Sequence, residues 1–267
     1  MSVLTSEALV LRTWPVNEAD LIVSLFTRDY GRVKGVAKAA LKSRKRFGGA
    51  LEPMTLARAW FAERPRQELV RLDQLEILRS PLSSPVDHAR MAVLSFFAEV
   101  IDEALPERDP QETVFRLAVS VLEYTTAVQP DAAQTPTTGT QSSGPQSFGP
   151  WMALTYFSLW ITRLMGLLPD LSRCIVCGEA LHPEEISFSS FADGLCCRLH
   201  SSGNANALSA DSWQLAQRML RTPASAFAAE LWTRRRGQDL RRFTLQTLER
   251  HLERKLRTAE ALSRLGG

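Results

Sequence analysis

A chain of 267 residues, 45% hydrophobic and 23% charged, carries enough apolar side chain to fill about two or three domain cores. Its net charge of +3 excludes no partner class, but GxxxxGK[ST], GxSxG and HExxH motifs are all absent, so energy coupling to ATP and the common hydrolytic chemistries are not expected. The opening MSVLTSEALVLR lacks a basic segment followed by a long apolar run, so no secretory leader is expected.

Residues 1–80 read as short strands. Glu7 to Trp14 and Ala19 to Phe26 are rich in branched and aromatic residues. Asp29-Tyr30-Gly31 makes a turn into Arg32 to Ala37, where polar and apolar residues alternate. Leu56 to Glu63 and Glu68 to Leu78 follow, with Arg64-Pro65-Arg66 as the turn between them. About five strands with one interruption, between the third and the fourth, fit a small Greek-key barrel such as an OB-fold.

The interruption is a basic run. Residues 28–46 hold Arg28, Arg32, Lys34, Lys38, Lys42, Arg44, Lys45 and Arg46 against Asp29 alone, so the rest of the chain is net acidic. Concentrated positive charge suits a polyanion meeting one surface. Arg32 and Lys34 on a strand, then Lys38, Lys42, Arg44, Lys45 and Arg46 on the following loop, are the candidate phosphate contacts. Phe26, Tyr30, Phe47, Trp60 and Phe61 lie nearby. Phe26 and Phe61 are expected in the core, and Phe47, beside Gly48-Gly49, is the best placed of them to stack on a base.

Beyond Pro85 the period changes. Met91, Leu94, Ala98, Ile101 and Leu105 form one helical stripe, and Val114, Leu117, Val121 and Thr125 a second. Gln129 to Pro150, rich in Pro, Ser, Thr, Gly and Gln, is expected to be a disordered insertion. Trp151 to Leu168 is apolar but carries Arg163, which costs roughly 2.5–3.5 kcal/mol at a bilayer centre. It is expected to be a buried helix, in a soluble cytoplasmic protein with no membrane contact. Ser209 to Trp213 caps a helix, and a last long helix is expected from about Asp239, with Leu245, Leu248, Leu252 and Leu256 on one face and Arg250, Arg254 and Arg257 on the other. Arg234-Arg235-Arg236 and Arg241-Arg242 extend the positive charge or simply solvate a helix face.

All four cysteines fall between residues 174 and 197. Cys174-Ile-Val-Cys177 and Cys197-Arg-Leu-His200 are two hooks, each offering two soft donors, as tetrahedral Zn²⁺ requires. In a reducing compartment a CxxC pair favours metal over a disulfide. A Cys₃His set leaves no coordination position for water, so the expected role is structural. Cys196 is an alternative to Cys197, and His182 to His200. His182-Pro-Glu184 has the H-x-E spacing of zinc deaminases, but the P-C-x-x-C that should follow it is missing.

The expected fold class is therefore α+β: a five-stranded OB-fold barrel over 1–80, then a helical domain over 81–267 with the insertion at 129–150 and a zinc-finger-like module at 174–200. Nearly the whole chain resembles the bacterial RecO family. The resemblance is carried by Glu7-Ala-Leu-Val-Leu-Arg12, Asn17-Glu-Ala-Asp20, Gly31-Arg-Val-Lys-Gly-Val-Ala-Lys38, Leu51-Glu-Pro53 and Gly166-Leu-Leu-Pro-Asp-Leu-Ser-Arg-Cys174, in that order. It implies a non-enzymatic recombination mediator of the RecF pathway, associated with the nucleoid. Such proteins bind single- and double-stranded DNA, anneal complementary strands, and work with RecR to load recombinase onto DNA coated by single-strand DNA-binding protein, whose acidic C-terminal tail they grip. The family's commoner fourth metal donor is Cys, where this chain has His200. A zinc-containing transcription factor, or a scaffold docking acidic protein tails, are the alternative readings.

Overall fold

In residues 31–37 every second side chain points inward, and that alternation builds the barrel. The structure, a computed structural model, describes residues 3–63, 67–83, 88–126, 149–190, 192–227, 230 and 232–264. Five strands, β1 (Val3–Pro15), β2 (Leu21–Thr27), β3 (Gly31–Ala37), β4 (Leu56–Ala62) and β5 (Val70–Arg79), close into a barrel of order β1-β2-β3-β5-β4. Neighbours run antiparallel except β3 and β5, which pair in parallel only over Gly35–Ala37 and Val70–Leu72. Val10, Val23, Leu25, Val33, Phe47, Phe61 and Leu72 fill the interior. Arg32 and Lys34, of opposite parity to Val33, are thereby turned outward.

The first half of β3 has no β5 partner, and residues 107–109 take the vacant edge. Arg108 N–H donates to the Arg32 carbonyl at 2.9 Å, and Arg32 and Glu107 form a parallel bridge. Gly31 has φ +67°, and a Cβ there would stand 2.3 Å from the Asp109 carbonyl oxygen. Only glycine satisfies both the turn and this close approach.

The helices are α1 (Arg44–Phe47), α2 (His88–Ala104), α3 (Glu112–Thr126), α4 (Pro150–Leu164), α5 (Ala210–Met219), α6 (Gln238–His251) and α7 (Arg257–Arg264). A second sheet of order β7-β6-β8 is made of β6 (Ile186–Phe188), β7 (Leu195–Cys196) and β8 (Asn206–Leu208). Contacts gather into two units, one running through Leu122 and resuming at Leu256, the other from Glu123 to Lys255.

In the first unit α2 buries Val93, Leu94, Phe97, Ala98, Val100 and Ile101, and packs on β1 and α7. Glu99 accepts the backbone N–H groups of Arg257 at 3.0 Å and Thr258 at 2.8 Å, which caps α7. The expected stripe of α3, Val114, Leu117, Val121 and Thr125, is buried.

In the second unit α4 packs on α6, and Phe188 meets Phe243 edge-on with ring centroids 5.3 Å apart, which seats the small sheet on α6. Buried α4 agrees with the expectation for Trp151 to Leu168, and no helix among the described residues is long and apolar enough to cross a membrane.

Two expectations are corrected, and two fall almost wholly outside the described residues. The basic run does not continue as an open loop: Ala39, left-handed at φ 53°, turns it into a 3-10 turn at Ala40–Lys42 and then α1. The last long helix stops at His251, because Glu253 adopts φ 53°; its buried face is Leu240, Phe243, Thr244, Thr247 and Leu248, and Leu256 belongs to the other unit. The turn at Arg64–Arg66 and the insertion at 129–150 lie outside the described residues, apart from Gly149 and Pro150, the latter opening α4.

Candidate nucleic-acid interface and metal centre

The structure divides the basic run in two. Lys38, Lys42, Arg44 and Lys45 are exposed on the turn that follows β3. Lys42, Arg44 and Lys45 have no side-chain ion pair or hydrogen bond among the described residues. Lys38 stands near Asp20, whose carboxyl is held below its ordinary range chiefly by the Ala39 N–H it accepts. Arg46 is partly withdrawn: its guanidinium donates to the Lys38 carbonyl at 2.7 Å and to Ser43 Oγ at 3.1 Å, and lies 5.1 Å from the Phe47 ring. It therefore braces the turn that the others project from.

Phe47 does not present itself to a base. It is 1% exposed and belongs to the barrel core with Phe61, because α1 folds its one aromatic residue inward; Phe26, also expected in that core, is buried instead on the other face of β2 against Phe115, ring centroids 5.5 Å apart. Tyr30 lays its ring edge-on against Phe61, with centroids 5.5 Å apart.

The strand half of the run is engaged by carboxylates from around the α2–α3 connection. Arg32, with a side chain only 12% exposed, donates to the Leu105 carbonyl at 3.0 Å and pairs with Asp102 at 3.5 Å and Glu107 at 3.3 Å. Asp102 is buried and also accepts from Ser24 Oγ at 2.6 Å. Lys34 meets Glu107 at 2.7 Å. The Lys34 ammonium holds the Glu107 carboxyl below its ordinary range despite some burial, with help from Arg32 and Arg108. Arg28 lies between Glu7 at 3.5 Å and Glu112 at 3.3 Å. These partners leave no local trace in the sequence: Ser24 and Asp102 are 78 residues apart.

The metal candidates converge. One donor atom each from Cys174, Cys177, Cys197 and His200 lies within 4.8 Å of the other three. Cys197 Sγ stands 3.3 Å and Cys174 Sγ 3.8 Å from His200 Nδ1, while Cys177 and Cys197 sulfurs are 4.0 Å apart. Donors about 2.0–2.3 Å from a tetrahedral ion are separated by roughly 3.5–3.8 Å, so the set fits such an ion with small adjustment. His182 and Cys196 are not in the cluster. Cys196 lies on β7 opposite Ser187 and is buried, and burial, with the neighbouring Cys174 and Cys197 thiols, pushes its own thiol up.

Backbone bonds hold the hooks. Gly178, at φ +75°, donates to the Cys174 carbonyl at 2.9 Å; Cys174 N–H donates to Glu179 O at 2.8 Å and Ile175 N–H to Leu195 O at 2.9 Å. Burial pushes the Cys174 thiol up, but backbone N–H groups of Cys177, Cys197 and Val176 outweigh it and bring it down to about 6. A thiolate is thus favoured at the one buried donor, as metal ligation requires.

The arginines of the second unit have mixed roles. Arg241 donates to Thr155 Oγ1 and the Arg236 carbonyl, each at 2.8 Å, and to the Arg234 carbonyl; burial pushes it down to about 10. Arg234 and Arg241 lie 5.7 and 5.5 Å from the Trp151 ring, so both serve packing. Arg236 pairs with Glu230, and Arg242 donates to Asn206 Oδ1 at 3.1 Å.

Residues 1–81 match the family described as Recombination protein O N terminal, and residues 85–135 and 144–260 match Recombination protein O C terminal. The chain is similar to the DNA repair protein RecO of Koribacter versatilis (strain Ellin345), 48% identical over 260 residues covering 97% of this chain and 98% of that protein. It is 30% identical to the DNA repair protein RecO of Anaeromyxobacter sp. (strain K), over 97% of this chain and 95% of that one. With the protein of the same name from Pelotomaculum thermopropionicum it shares 28% identity over 100% of this chain and 96% of that one. These matches put the chain among DNA repair and recombination proteins. It belongs to the RecO family.

Proposed function

We propose that this chain is a non-enzymatic recombination mediator of the RecF pathway. It binds single- and double-stranded DNA through the turn at Lys38 to Arg46, anneals complementary strands, and helps load recombinase onto strands coated by single-strand DNA-binding protein, with RecR and the acidic tail of that coating protein as partners. We read the barrel, over residues 1–80, as an OB-fold, which its strand order and the parallel β3–β5 closure support. Residues 81–267 form the helical domain on this reading, and the protein works in the cytoplasm at the nucleoid.

The observation that carries the proposal is the turn itself. Three adjacent cations, Lys42, Arg44 and Lys45, are exposed without side-chain partners among the described residues, on the barrel of a DNA repair family. Cations of this kind bind phosphate by releasing condensed counterions, and shielding two strands from each other lowers the barrier to their pairing.

On this reading Cys174, Cys177, Cys197 and His200 hold a structural Zn²⁺. The ion would supply a cross-link between the two hooks and no open position for chemistry. A DNA-reading role for the module lacks support: Arg173 donates to the Gly178 carbonyl, and Arg198 pairs with Glu185 at 3.2 Å.

The test is fluorescence anisotropy with a random-sequence oligonucleotide across a salt series. Changing Lys42, Arg44 and Lys45 together to Ala should weaken binding at least tenfold at low salt and flatten the log–log salt slope by about two, at roughly 0.7 per single-strand phosphate contact. Unchanged affinity and slope would remove this turn as the DNA contact.

A further inference from the structure

The carboxylates that face the strand half of the basic run hold their cations in unequal ways. Arg32 is fixed, being nearly buried and bonded to Asp102, Glu107 and the Leu105 carbonyl. Arg28 remains between Glu7 and Glu112, so losing either carboxylate leaves it paired. Lys34 differs. Among the described residues its one carboxylate partner is Glu107, at 2.7 Å, and their side chains are 35% and 45% exposed.

An ion pair so open to water contributes little to stability. Phosphate oxygens offer an ammonium the same kind of acceptor. The Glu107 backbone is fixed on the β3 edge by the bridge to Arg32 and the Arg108 hydrogen bond, so its side chain alone has to turn for Lys34 to be released; that turn also gives up the 3.3 Å contact with Arg32, which Asp102 and the Leu105 carbonyl still hold. Four residues of extended chain separate Lys34 from Lys38, roughly 13 Å, a span that a few nucleotides cover.

We propose that the Glu107 carboxylate is an internal stand-in for phosphate, holding Lys34 while the barrel is empty and yielding it to a DNA strand already seated on the Lys42–Lys45 turn. The inference deepens the DNA-binding reading and rests on it. Exchanging one anion for another on Lys34 releases no net counterion. Wild-type protein therefore gains this contact without a salt-dependent contribution from it, whereas a chain lacking the carboxylate gains it with one.

The test uses the full chain and a labelled random-sequence single strand, with affinity followed against salt. E107Q should bind several-fold more tightly at low salt, with a slope steeper by about 0.7, and its affinity should converge on wild type as salt rises. Adding Lys34→Ala to E107Q should remove the gain. In the wild-type background Lys34→Ala alone should leave the slope unchanged, a result independent of how E107Q folds. Binding by E107Q no tighter than wild type overturns the inference, as does a gain that survives Lys34→Ala or a slope flattened by Lys34→Ala alone. Wild-type protein that ignores the oligonucleotide overturns the DNA-binding reading as well, so the two failures are distinguishable.

Discussion

Cys174 shows how one residue is prepared for its role. It is 2% exposed, yet three backbone N–H groups favour its thiolate, and Gly178 closes the turn behind it. Replacing it with Ser removes one soft donor from the four that converge. Cys174→Ser should lower bound zinc to well under one per chain by elemental analysis. It should also lower the melting midpoint by roughly 5–10 °C, at about 2–4 °C per kcal/mol for a protein this size. DNA affinity should stay within about twofold, as the cationic turn lies in the other unit. Phe47 teaches the converse. Its position between Arg46 and Gly48 marks it in sequence as a base-stacking group, but a four-residue helix turns it inward, where burying an aromatic ring contributes more than exposing it.

Among elements, the junction of α5 and α6 has a testable electrostatic basis. Ser209 caps α5 by accepting the Ser212 N–H at 3.3 Å, and Asp239, in the first turn of α6, accepts the Ser209 N–H at 2.6 Å and the Ser212 hydroxyl. Burial pushes the Asp239 carboxyl up, but the bonds from Ser212 and Ser209 outweigh it and hold it below its ordinary value of 3.8. A carboxyl depressed in the folded state binds its proton less readily there than in the unfolded chain. Its stabilisation is therefore complete above the ordinary value and is lost as pH falls through the folded one. Asp239→Asn should lower the thermal midpoint at pH 7 by a few degrees, and the difference from wild type should shrink below about pH 4. A constant difference across that range would contradict the assignment.

The same scale shows what was legible in sequence. Arg32-Val-Lys-Gly-Val-Ala announced β3 because alternation is local and the barrel uses it directly. The paired hooks were legible because each folds as a tight turn whose spacing is its geometry. The three-stranded sheet was not, since strands of two or three residues are too short to display a period. The leucine stripe through Leu252 and Leu256 misled for a related reason: the pattern continues where Glu253 reverses the backbone without a glycine to announce it. Long-range pairs such as Lys34 with Glu107 leave no local trace at all.

For the molecule as a whole, positive charge is unevenly available. The strand half of the basic run is already met by carboxylates, the second unit's arginines are largely engaged in packing and pairing, and the turn after β3 stands open. The chain's modest net charge conceals this division, which appears only when each cation is traced to its partner. On the proposed function, this turn holds the DNA backbone. Ultraviolet cross-linking of the whole chain to a random-sequence single strand, followed by peptide mapping, addresses it most directly. Adducts should concentrate in the peptides spanning residues 38–49. Adducts confined to the metal module, with none in the turn, would rule the turn out as the DNA contact.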